Sequence, residues 1–399
     1  MRVKKLDKSM LCNIVRSRYP EILGVRHSLQ SVKVKRVSRL KLTDDEIAQC
    51  EKDSLIKKTV IAPYLKKWKK QLNPIVKEME DIFANGEKYS TRQDKDELKA
   101  DIVYCYLAYG FLPSEYICFE LENKSPEQRK TFASDTDTKV FGYSVNNIVA
   151  MQDIINKGRC YEKYTRYFER DAIVLRDMSD YDDYLSFVTQ HPVFVKKKVL
   201  SMCGKGVELI DINSVNYSPK EYFEYLISNE NCMLEEVVSQ DEAMARFNPS
   251  SVNTIRCITL KTKRDVVVPW CFLRTGRNGS FVDNGGSGGL VIGVDSTTGI
   301  VSTDGFDEYN NRYEAHPDTG VRFVGSKIPE WGALIDKCKK AAMEIDSVNY
   351  LSWDLAYTDN GWIVIEINEV GQLIGPQMTF KTGIKRELMK YYEQMEKYV

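Results

Sequence analysis

A β-hairpin pattern runs through the segment WDLAYTDNGWIVIEIN, which extends from Trp353 to Asn368. Two runs that contain aromatic and β-branched residues flank the turn-forming residues Asp359-Asn360-Gly361. We predict a three-residue loop with its glycine in the left-handed conformation, which pairs Thr358 with Trp362. This register determines which side chains of the two strands face each other.

Three oxygen-bearing side chains share one face of this predicted hairpin. Asp354 lies directly opposite Glu366, and Asn368 is on the same face as Glu366 because side chains alternate along a strand. The isoleucines of the second strand point to the other, apolar face. Two facing carboxylates repel, and a bridging cation removes the repulsion. We therefore predict a magnesium site formed by these three side chains; the alternative is a solvated polar face.

A lysine-rich strand, a glycine-containing loop and a second strand follow one another between Val193 and Val207. The N–H groups of such a loop can contact nucleotide phosphates, with Lys196 and Lys205 neutralising their charge. The loop lacks the Gly-Lys-Ser/Thr ending of a Walker loop. The alternative is a plain turn between two strands.

An apolar strand that begins at Met233 ends in polar residues. We interpret the stretch from Glu235 through Glu236 to Val238 as a hinge whose last backbone groups contact the edge of an adenine. Glu242 is then the acid that binds ribose. A plain strand end is the alternative interpretation.

Candidate anion-binding residues come next in the chain. Arg256 emerges from an apolar strand, which is costly unless its guanidinium meets an anion such as phosphate or the carboxylate of a salt bridge. Asn253 directly precedes this strand, and we include it in the nucleotide site.

A glycine-rich stretch follows Arg274 and contains Asp283, Asn284 and Gly286. We expect this stretch to close over the substrate, with these four residues contributing to substrate binding. A flexible loop without a binding role is the alternative.

Composition restricts the function classes. The 399 residues include 57 basic and 57 acidic side chains, which gives no global sign of nucleic-acid binding. No sustained apolar run indicates a secretory signal or a transmembrane helix, so we expect a cytoplasmic protein. Ten cysteines without a Cys-x-x-Cys pair and three histidines argue against zinc and favour a hard cation. The basic stretch from Lys33 to Lys70 is either a solvated face or a peripheral contact with an anionic membrane or glycan carrier.

The hydrophobic pattern divides the chain into a helical part and a β-rich part. Apolar residues recur at helical spacing from Asp94 to about Asn156, and Ser125-Pro126 predicts the start of a helix. We predict a mainly helical region over residues 1–155 and an α+β body beyond it. The predicted strands are Ala172 to Leu175, Val193 to Lys196, Val207 to Ile210, Met233 to Val238, Thr254 to Lys261, Val266 to Leu273, Leu290 to Val294, Trp353 to Thr358 and Trp362 to Ile367.

In this order the motifs resemble those of the ATP-grasp superfamily, and most closely its sugar-transfer-associated group. The runs Asn253-Thr254-Ile255-Arg256-Cys257, Asp283-Asn284 with its glycines, and Glu366-Ile367-Asn368 are also similar to ribosomal-protein glutamate ligases. The resemblance implies an α+β fold of two lobes that clasp ATP. It places the small lobe at residues 156–238 and the large lobe, with the metal-binding hairpin, at residues 239–399.

The resemblance also implies roles for individual residues. The family holds the nucleotide phosphates with two lysines; Lys196 matches the second, and the first is Lys157 or Lys163. The three oxygen ligands of the hairpin match the family's metal ligands position by position.

The implied activity is ATP-dependent ligation with Mg²⁺. Phosphate passes from ATP to a carboxylate, and an amine attacks the acyl phosphate; Lys196 and Arg256 would act catalytically by neutralising charge. The group's name implies a sugar acid or other glycan precursor as the acceptor, in capsule or other surface-polysaccharide biosynthesis. A kinase acting on a hydroxyl and a non-catalytic nucleotide-binding scaffold are the alternatives. A ligase is expected to hold the acceptor carboxylate with Arg274 or Arg322.

Overall fold

The computed structural model describes residues 42–52, 54–200, 206–229, 231–283 and 288–398. Helices dominate the first part of this range, and two antiparallel sheets form most of the rest. The helices are α1 (Asp44–Lys52), α2 (Ser54–Lys67), α3 (Lys69–Asn85), α4 (Glu87–Ser90), α5 (Lys95–Tyr109), α6 (Pro113–Cys118), α7 (Pro126–Arg129), α8 (Asp135–Val145), α9 (Met151–Ile155), α10 (Lys157–Phe168), α11 (Tyr181–Gln190), α12 (Pro219–Asn229), α13 (Glu242–Ala245), α14 (Trp331–Glu344), α15 (Ile374–Phe380) and α16 (Lys385–Gln394).

The strands match most of the predicted ones, which confirms the α+β class. They are β1 (Ala172–Leu175), β2 (Val193–Lys198), β3 (Val207–Asp211), β4 (Cys232–Glu236), β5 (Thr254–Lys261), β6 (Val266–Thr275), β7 (Leu290–Val294), β8 (Val301–Phe306), β9 (Arg312–Tyr313), β10 (Tyr350–Thr358) and β11 (Gly361–Asn368). Strands β8 and β9 are not among the predicted strands. Polar residues and glycine interrupt the apolar alternation of β8, and β9 is only two residues long.

The predicted helix start at Ser125 is confirmed by its geometry. The Ser125 hydroxyl accepts the Gln128 N–H, and the Gln128 side chain accepts the Ser125 N–H, so the two residues form a capping box. Arg129 ends this helix and is buried. Its guanidinium pairs with Asp101 of α5 at 2.7 Å, so the pair ties two helices of the N-terminal region together.

The small sheet has the strand order β1-β4-β2-β3. Helices α11 and α12 cover one face, where Phe194 and Leu234 pack against Tyr184 and Phe223. The other face turns toward the large sheet, and Met233 of β4 belongs to the same apolar cluster as residues of the large sheet. One face of the small sheet is therefore covered by helices, and the other faces the large sheet.

The large sheet has the strand order β11-β10-β5-β6-β7-β8-β9. Helix α14 packs on it through the apolar cluster that contains Leu334 and Cys338. Helix α10 joins this cluster through Cys160 and Phe168, together with Met233 of the small sheet and Ile367 of β11. Helix α10 therefore links the two sheets. The predicted lobe borders at residues 155/156 and 238/239 stay predictions.

The hairpin turn differs from the predicted one. Thr358 pairs with Gly361, so the loop has two residues, and the prediction that Thr358 pairs with Trp362 is wrong. The register then shifts by one residue, because Leu355 pairs with Val364 but Asp354 pairs with Glu366. A β-bulge at Ile365 therefore brings Glu366 opposite Asp354. The predicted pairing of these two residues is confirmed, but it results from a two-residue loop and a bulge instead of a three-residue loop.

None of the helices in the described part of the chain combines the length and apolarity needed to span a bilayer. The basic residues from Lys33 to Lys41 lie outside the described residues. Among the basic residues that the structure describes, Lys57 and Lys58 of α2 pair with Asp101 and Glu97 of α5.

Candidate functional site

A small solvent-open cleft lies between the small sheet and β11. Its charged lining comes from four elements that are distant in sequence: Lys157 opens α10, Lys197 is on β2, Glu235 is on β4 and Glu366 is on β11. The apolar lining includes Ile154, Phe168, Met233 and Ile367. The cleft thus combines apolar walls with charges of both signs, which is a typical composition for a small-molecule site.

Lys157 is held at the cleft by the start of α10. The Asn156 side chain caps this helix by accepting the Arg159 N–H, and Lys157 is the first helical residue. Its Nζ lies 2.6 Å from Glu366 Oε1 across the cleft. Lys163 instead pairs with Asp153 and leaves 55% of its side chain exposed, away from the cleft lining. Of the two predicted first lysines, the structure thus brings only Lys157 to the cleft.

The second predicted lysine, Lys196, does not line the cleft, whereas its neighbour Lys197 does. Lys196 lies opposite Leu234, whose side chain packs under the outer helices, and its Nζ is 3.1 Å from Glu208 of β3. Lys197, on the other face of the strand, lines the cleft. Because side chains alternate along β2, Lys196 lies on the face away from the cleft in this structure, and its contact with the nucleotide stays a prediction.

Glu235 links Lys197 to a buried arginine. Its Oε2 lies 2.7 Å from Lys197 Nζ and 2.7 Å from Arg170 Nη2. Burial alone would raise the pKa of the Glu235 carboxyl, but the two cations outweigh it and lower this pKa to about 2. The side chain is an anion that orients the lysine.

The predicted hinge follows Glu235 toward the large sheet. The Asp171 N–H donates to the Glu236 carboxylate, and farther on the Asp241 N–H donates to Tyr357 O of β10. The segment that contains Val238 therefore crosses from one sheet to the other. Glu242 is exposed at the start of α13 and does not line the described cleft.

Asp354 is occupied by two arginines in this structure. Arg256 makes two contacts of 2.5 Å with its carboxylate, and Arg274 Nη1 lies 2.9 Å from Oδ2. Burial opposes ionisation, but the two guanidinium groups lower the pKa of Asp354 to about 2. The facing carboxylates of the hairpin are therefore neutralised by side chains: Asp354 by arginines and Glu366 by Lys157.

Asn368 and Ser352 face each other across the hairpin at its inner end. Asn368 Nδ2 and Ser352 Oγ are buried and have no hydrogen-bond partner among the described residues. The unpaired Asn368 Nδ2 is a donor that calls for an acceptor, whereas a cation would be bound by the Oδ1 of the same amide. The oxygen-rich set of Asp354, Glu366 and Asn368 fits a hard cation such as Mg²⁺.

A second anion-binding element adjoins Asp354. Arg274 Nη2 lies 2.9 Å from Asp283 Oδ1, and the Thr254 hydroxyl donates to the same carboxylate. Burial raises the pKa of Asp283. Arg274 and Asp283, both predicted substrate residues, are thus in contact, whereas Arg322 is 79% exposed and pairs with Glu314. Lys205, Asn284 and Gly286 lie outside the described residues.

Asn253, which we predict to contact the cofactor, is hydrogen-bonded to neighbouring segments of the fold. It is completely buried, and its Nδ2 donates to Gln240 Oε1 and to the carbonyls of Met244 and Asn248. Its Oδ1 accepts the Thr275 hydroxyl at 2.6 Å. These bonds use the donors of the amide within the fold, and the cofactor contact of Asn253 stays a prediction.

Two residues at the site were missed by the sequence analysis. For Lys197, strand alternation signalled only that it lies on the face opposite Phe194 and Lys196; the packing of Phe194 under helices shows which face that is. Arg170 had no signal of its own, because its partners are Glu235 and the carbonyls of Val364 and Ile365, far along the chain.

Comparison with protein families gives one match, to sugar-transfer associated ATP-grasp, over residues 144–393. The match covers more than half of the chain, and the chain belongs to this family. Family membership and the two-sheet architecture establish the ATP-grasp fold. A comparison with curated proteins gave no match.

Similar solved structures include several ATP-grasp enzymes. The ATP-grasp ligase PsnB with its minimal precursor has 12% identity and a TM-score of 0.39, with 63% of this chain and 64% of that chain covered. N5-carboxyaminoimidazole ribonucleotide synthetase from Thermotoga maritima has 12% identity and a TM-score of 0.38, with 63% and 52% covered. D-alanyl-alanine synthetase A from Vibrio cholerae O1 biovar eltor has 10% identity and a TM-score of 0.37, with 62% and 66% covered. The chain thus spans less than two thirds of the length of each of these three proteins.

Proposed function

We propose that this protein is an ATP-dependent ligase that joins a carboxylate to an amine through an acyl phosphate. The observation that carries the proposal is the cleft between the two sheets. There Lys157 and Lys197 face Glu366 of the predicted metal hairpin, in a chain of the ATP-grasp family. Lysines on one side and oxygen ligands on the other suit a nucleotide polyphosphate and its metal.

Lys157 and Lys197 are proposed to bind the phosphates, while the segment from Glu236 to Val238 contacts the adenine. Glu242 is kept as the ribose acid, which requires closure of the cleft. Glu366, Asn368 and Asp354 are proposed to hold Mg²⁺, which neutralises and orients the phosphate oxygens when bound. Without ligand, Lys157 holds the Glu366 carboxylate by the 2.6 Å contact. Nucleotide binding therefore exchanges a lysine–carboxylate pair for a lysine–phosphate pair.

Arg256 and Arg274 favour a ligase over a kinase. Both guanidinium groups contact the same Asp354 carboxylate, so the two cations are close to each other. We propose that Arg256 stabilises the charge of the transferring phosphate and that Arg274, beside Asp283, binds the acceptor carboxylate. A hydroxyl acceptor would not need the second guanidinium. Lys205, Asn284 and Gly286 remain proposed phosphate or substrate contacts.

The acceptor is proposed to be a sugar acid or another glycan precursor, as the sugar-transfer association of the family suggests. We keep surface-polysaccharide biosynthesis in the cytoplasm as the proposed setting. Contact of the basic N-terminal stretch with an anionic membrane or carrier remains part of the proposal. The exposed side chains of Lys66, Lys67 and Lys69 at the junction of α2 and α3 support it.

A thermal-shift experiment tests the nucleotide and metal site. The non-hydrolysable ATP analogue AMP-PNP is added with Mg²⁺ or with EDTA to the wild type, Glu366→Ala and Glu208→Ala. The control is matched, because Glu208 is also a partly exposed carboxylate paired with a lysine, but it lies outside the cleft. We expect Mg²⁺-dependent stabilisation in the wild type and the control only. Equal stabilisation in Glu366→Ala would remove the metal assignment.

The chemistry is tested by supplying ATP with a panel of uronic acids and hydroxylamine. A ligase that forms an acyl phosphate releases phosphate and ADP and converts the acid to a hydroxamate. A kinase would give ADP and a phosphorylated sugar without free phosphate. Nucleotide binding without turnover of any acid or sugar would favour the scaffold alternative.

A further inference from the structure

The bulge in β11 determines which way Glu366 points. Leu355 pairs with Val364, and an unbroken register would place Ile365 opposite Asp354. The extra residue shifts the pairing, so Glu366 takes this place. A one-residue slip would turn Glu366 to the other face of the strand, away from the hairpin partner. Whatever stabilises the bulge therefore fixes the carboxylate of the proposed metal site.

Arg170 binds the bulge directly. Its Nη1 donates to Val364 O at 2.5 Å, and its Nη2 donates to Ile365 O at 3.0 Å. A bulge disrupts the ladder, and a buried carbonyl without a partner is unfavourable. The planar fork of the guanidinium meets both carbonyls of the bulge at once.

The same guanidinium reaches the small sheet. Its Nε and Nη2 contact Glu235 Oε2 at 3.2 and 2.7 Å, and Glu235 also contacts Lys197 Nζ at 2.7 Å. Arg170 and Glu235 are buried, with 7% and 5% of their surface exposed. One buried chain of contacts therefore connects the proposed phosphate lysine with the strand that carries Glu366.

We propose that Arg170 is a positioning residue that holds the β11 bulge in register, so that Glu366 faces Asp354 and the cleft, and that links this register to Lys197. This inference rests on the proposed function of the cleft, because it assigns a role in metal binding. Lysine cannot replace arginine here, since one ammonium cannot reach Glu235 and two successive carbonyls in the geometry of a planar fork.

The test compares Arg170→Lys with Arg129→Lys. Arg129 is a matched control: it is also buried, pairs with one carboxylate and donates to backbone carbonyls, but it lies among the N-terminal helices. The Mg²⁺ concentration that gives half of the AMP-PNP-dependent thermal shift is measured in each protein. We expect Arg170→Lys to raise it about 10- to 100-fold, as for the loss of groups that orient metal ligands. The shift with AMP-PNP in EDTA should change much less, because Lys157 and Lys197 remain.

Equal Mg²⁺ requirements in Arg170→Lys and Arg129→Lys would overturn the positioning role. Absence of any Mg²⁺ effect in the wild type would instead contradict the proposed function, so the two failures are distinguishable. If Arg170→Lys does not fold, Glu235→Asp tests the same link. The shorter carboxylate withdraws the guanidinium from the β11 carbonyls while every charge is kept. It is expected to raise the Mg²⁺ requirement, and an unchanged requirement would contradict the proposal.

Discussion

Lys196 and Lys197 are consecutive in β2, yet their ammonium groups have different partners on opposite faces of the small sheet. Lys196 Nζ lies 3.1 Å from Glu208 of the edge strand β3, and Lys197 Nζ lies 2.7 Å from Glu235 in the cleft. Of the two, only Lys197 lines the cleft. A substitution of Lys196 is therefore a control for the same substitution of Lys197.

We predict that Lys197→Met reduces the AMP-PNP-dependent thermal shift strongly, while Lys196→Met leaves it within experimental error. Each variant removes one lysine and one ion pair, so a general effect of charge on stability is common to both. Loss of a charge-assisted contact to phosphate should weaken binding by about 2 kcal/mol, or roughly 30-fold. Equal losses in the two variants, or a larger loss in Lys196→Met, would contradict the assignment of Lys197.

The hairpin shows how far local sequence rules reach. They predicted that Asp354 faces Glu366, and this is confirmed, although the predicted three-residue loop is wrong. A shorter turn and a bulge at Ile365 shift the register in opposite directions and cancel. The bulge has no local signal in the run of isoleucine and valine, because the arginine that binds it comes from a distant part of the chain. The two strands of the hairpin were therefore predictable from the sequence, but the bulge that sets their register was not.

Side-chain partners were the least predictable part of the site. An arginine on a buried strand indicates an anion, but the sequence cannot decide between phosphate and a carboxylate. In this structure Arg256 contacts Asp354, the salt-bridge alternative of the sequence analysis. Which of the two lysines lines the cleft was not predictable for a similar reason: strand alternation gives two faces, and only tertiary packing shows which face lies under helices.

Asp354→Asn should destabilise the protein by about 3 kcal/mol, because it leaves two buried guanidinium groups facing a neutral amide. The measurement is the urea midpoint at neutral pH. Arg256 loses its carboxylate partner in this variant while Arg274 keeps Asp283, so phosphate should bind at Arg256 and raise the melting temperature of Asp354→Asn more than that of the wild type. Equal phosphate responses would show that the arginine pair is not accessible to an anion.

The pKa of Glu235, lowered to about 2 by Arg170 and Lys197, predicts an acid dependence of stability. The folded-state pKa lies below the unfolded value of about 4.3, so the ionised carboxylate stabilises the fold above that value, by about 2–3 kcal/mol. This contribution is lost as the pH falls from about 4 toward 2. The free energy of unfolding of wild type and Glu235→Gln is measured from pH 7 to pH 2.

The difference between these two proteins should be large near neutral pH and shrink toward pH 2. Taking the difference removes the effect of other buried carboxyls, such as Glu115 and Asp283, whose pKa values are raised by burial. A difference that does not change with pH would mean that the ion pairs of Glu235 do not stabilise the folded state.

Asn253→Ala should affect folding and leave nucleotide binding intact. The substitution removes a fully buried amide together with its bonds to the carbonyls of Met244 and Asn248 and to the Thr275 hydroxyl, which should cost about 2–4 kcal/mol. Asn85→Ala is the control, since Asn85 makes one exposed bond to Asp81 and its loss should stay within about 0.5 kcal/mol. The folded fraction of Asn253→Ala should respond to Mg²⁺ and AMP-PNP as the wild type does, because the amide does not reach the cleft. A folded variant that no longer responds would show that the segment between Gln240 and Asn253 positions the nucleotide, and the resemblance to the family would then extend to this residue after all.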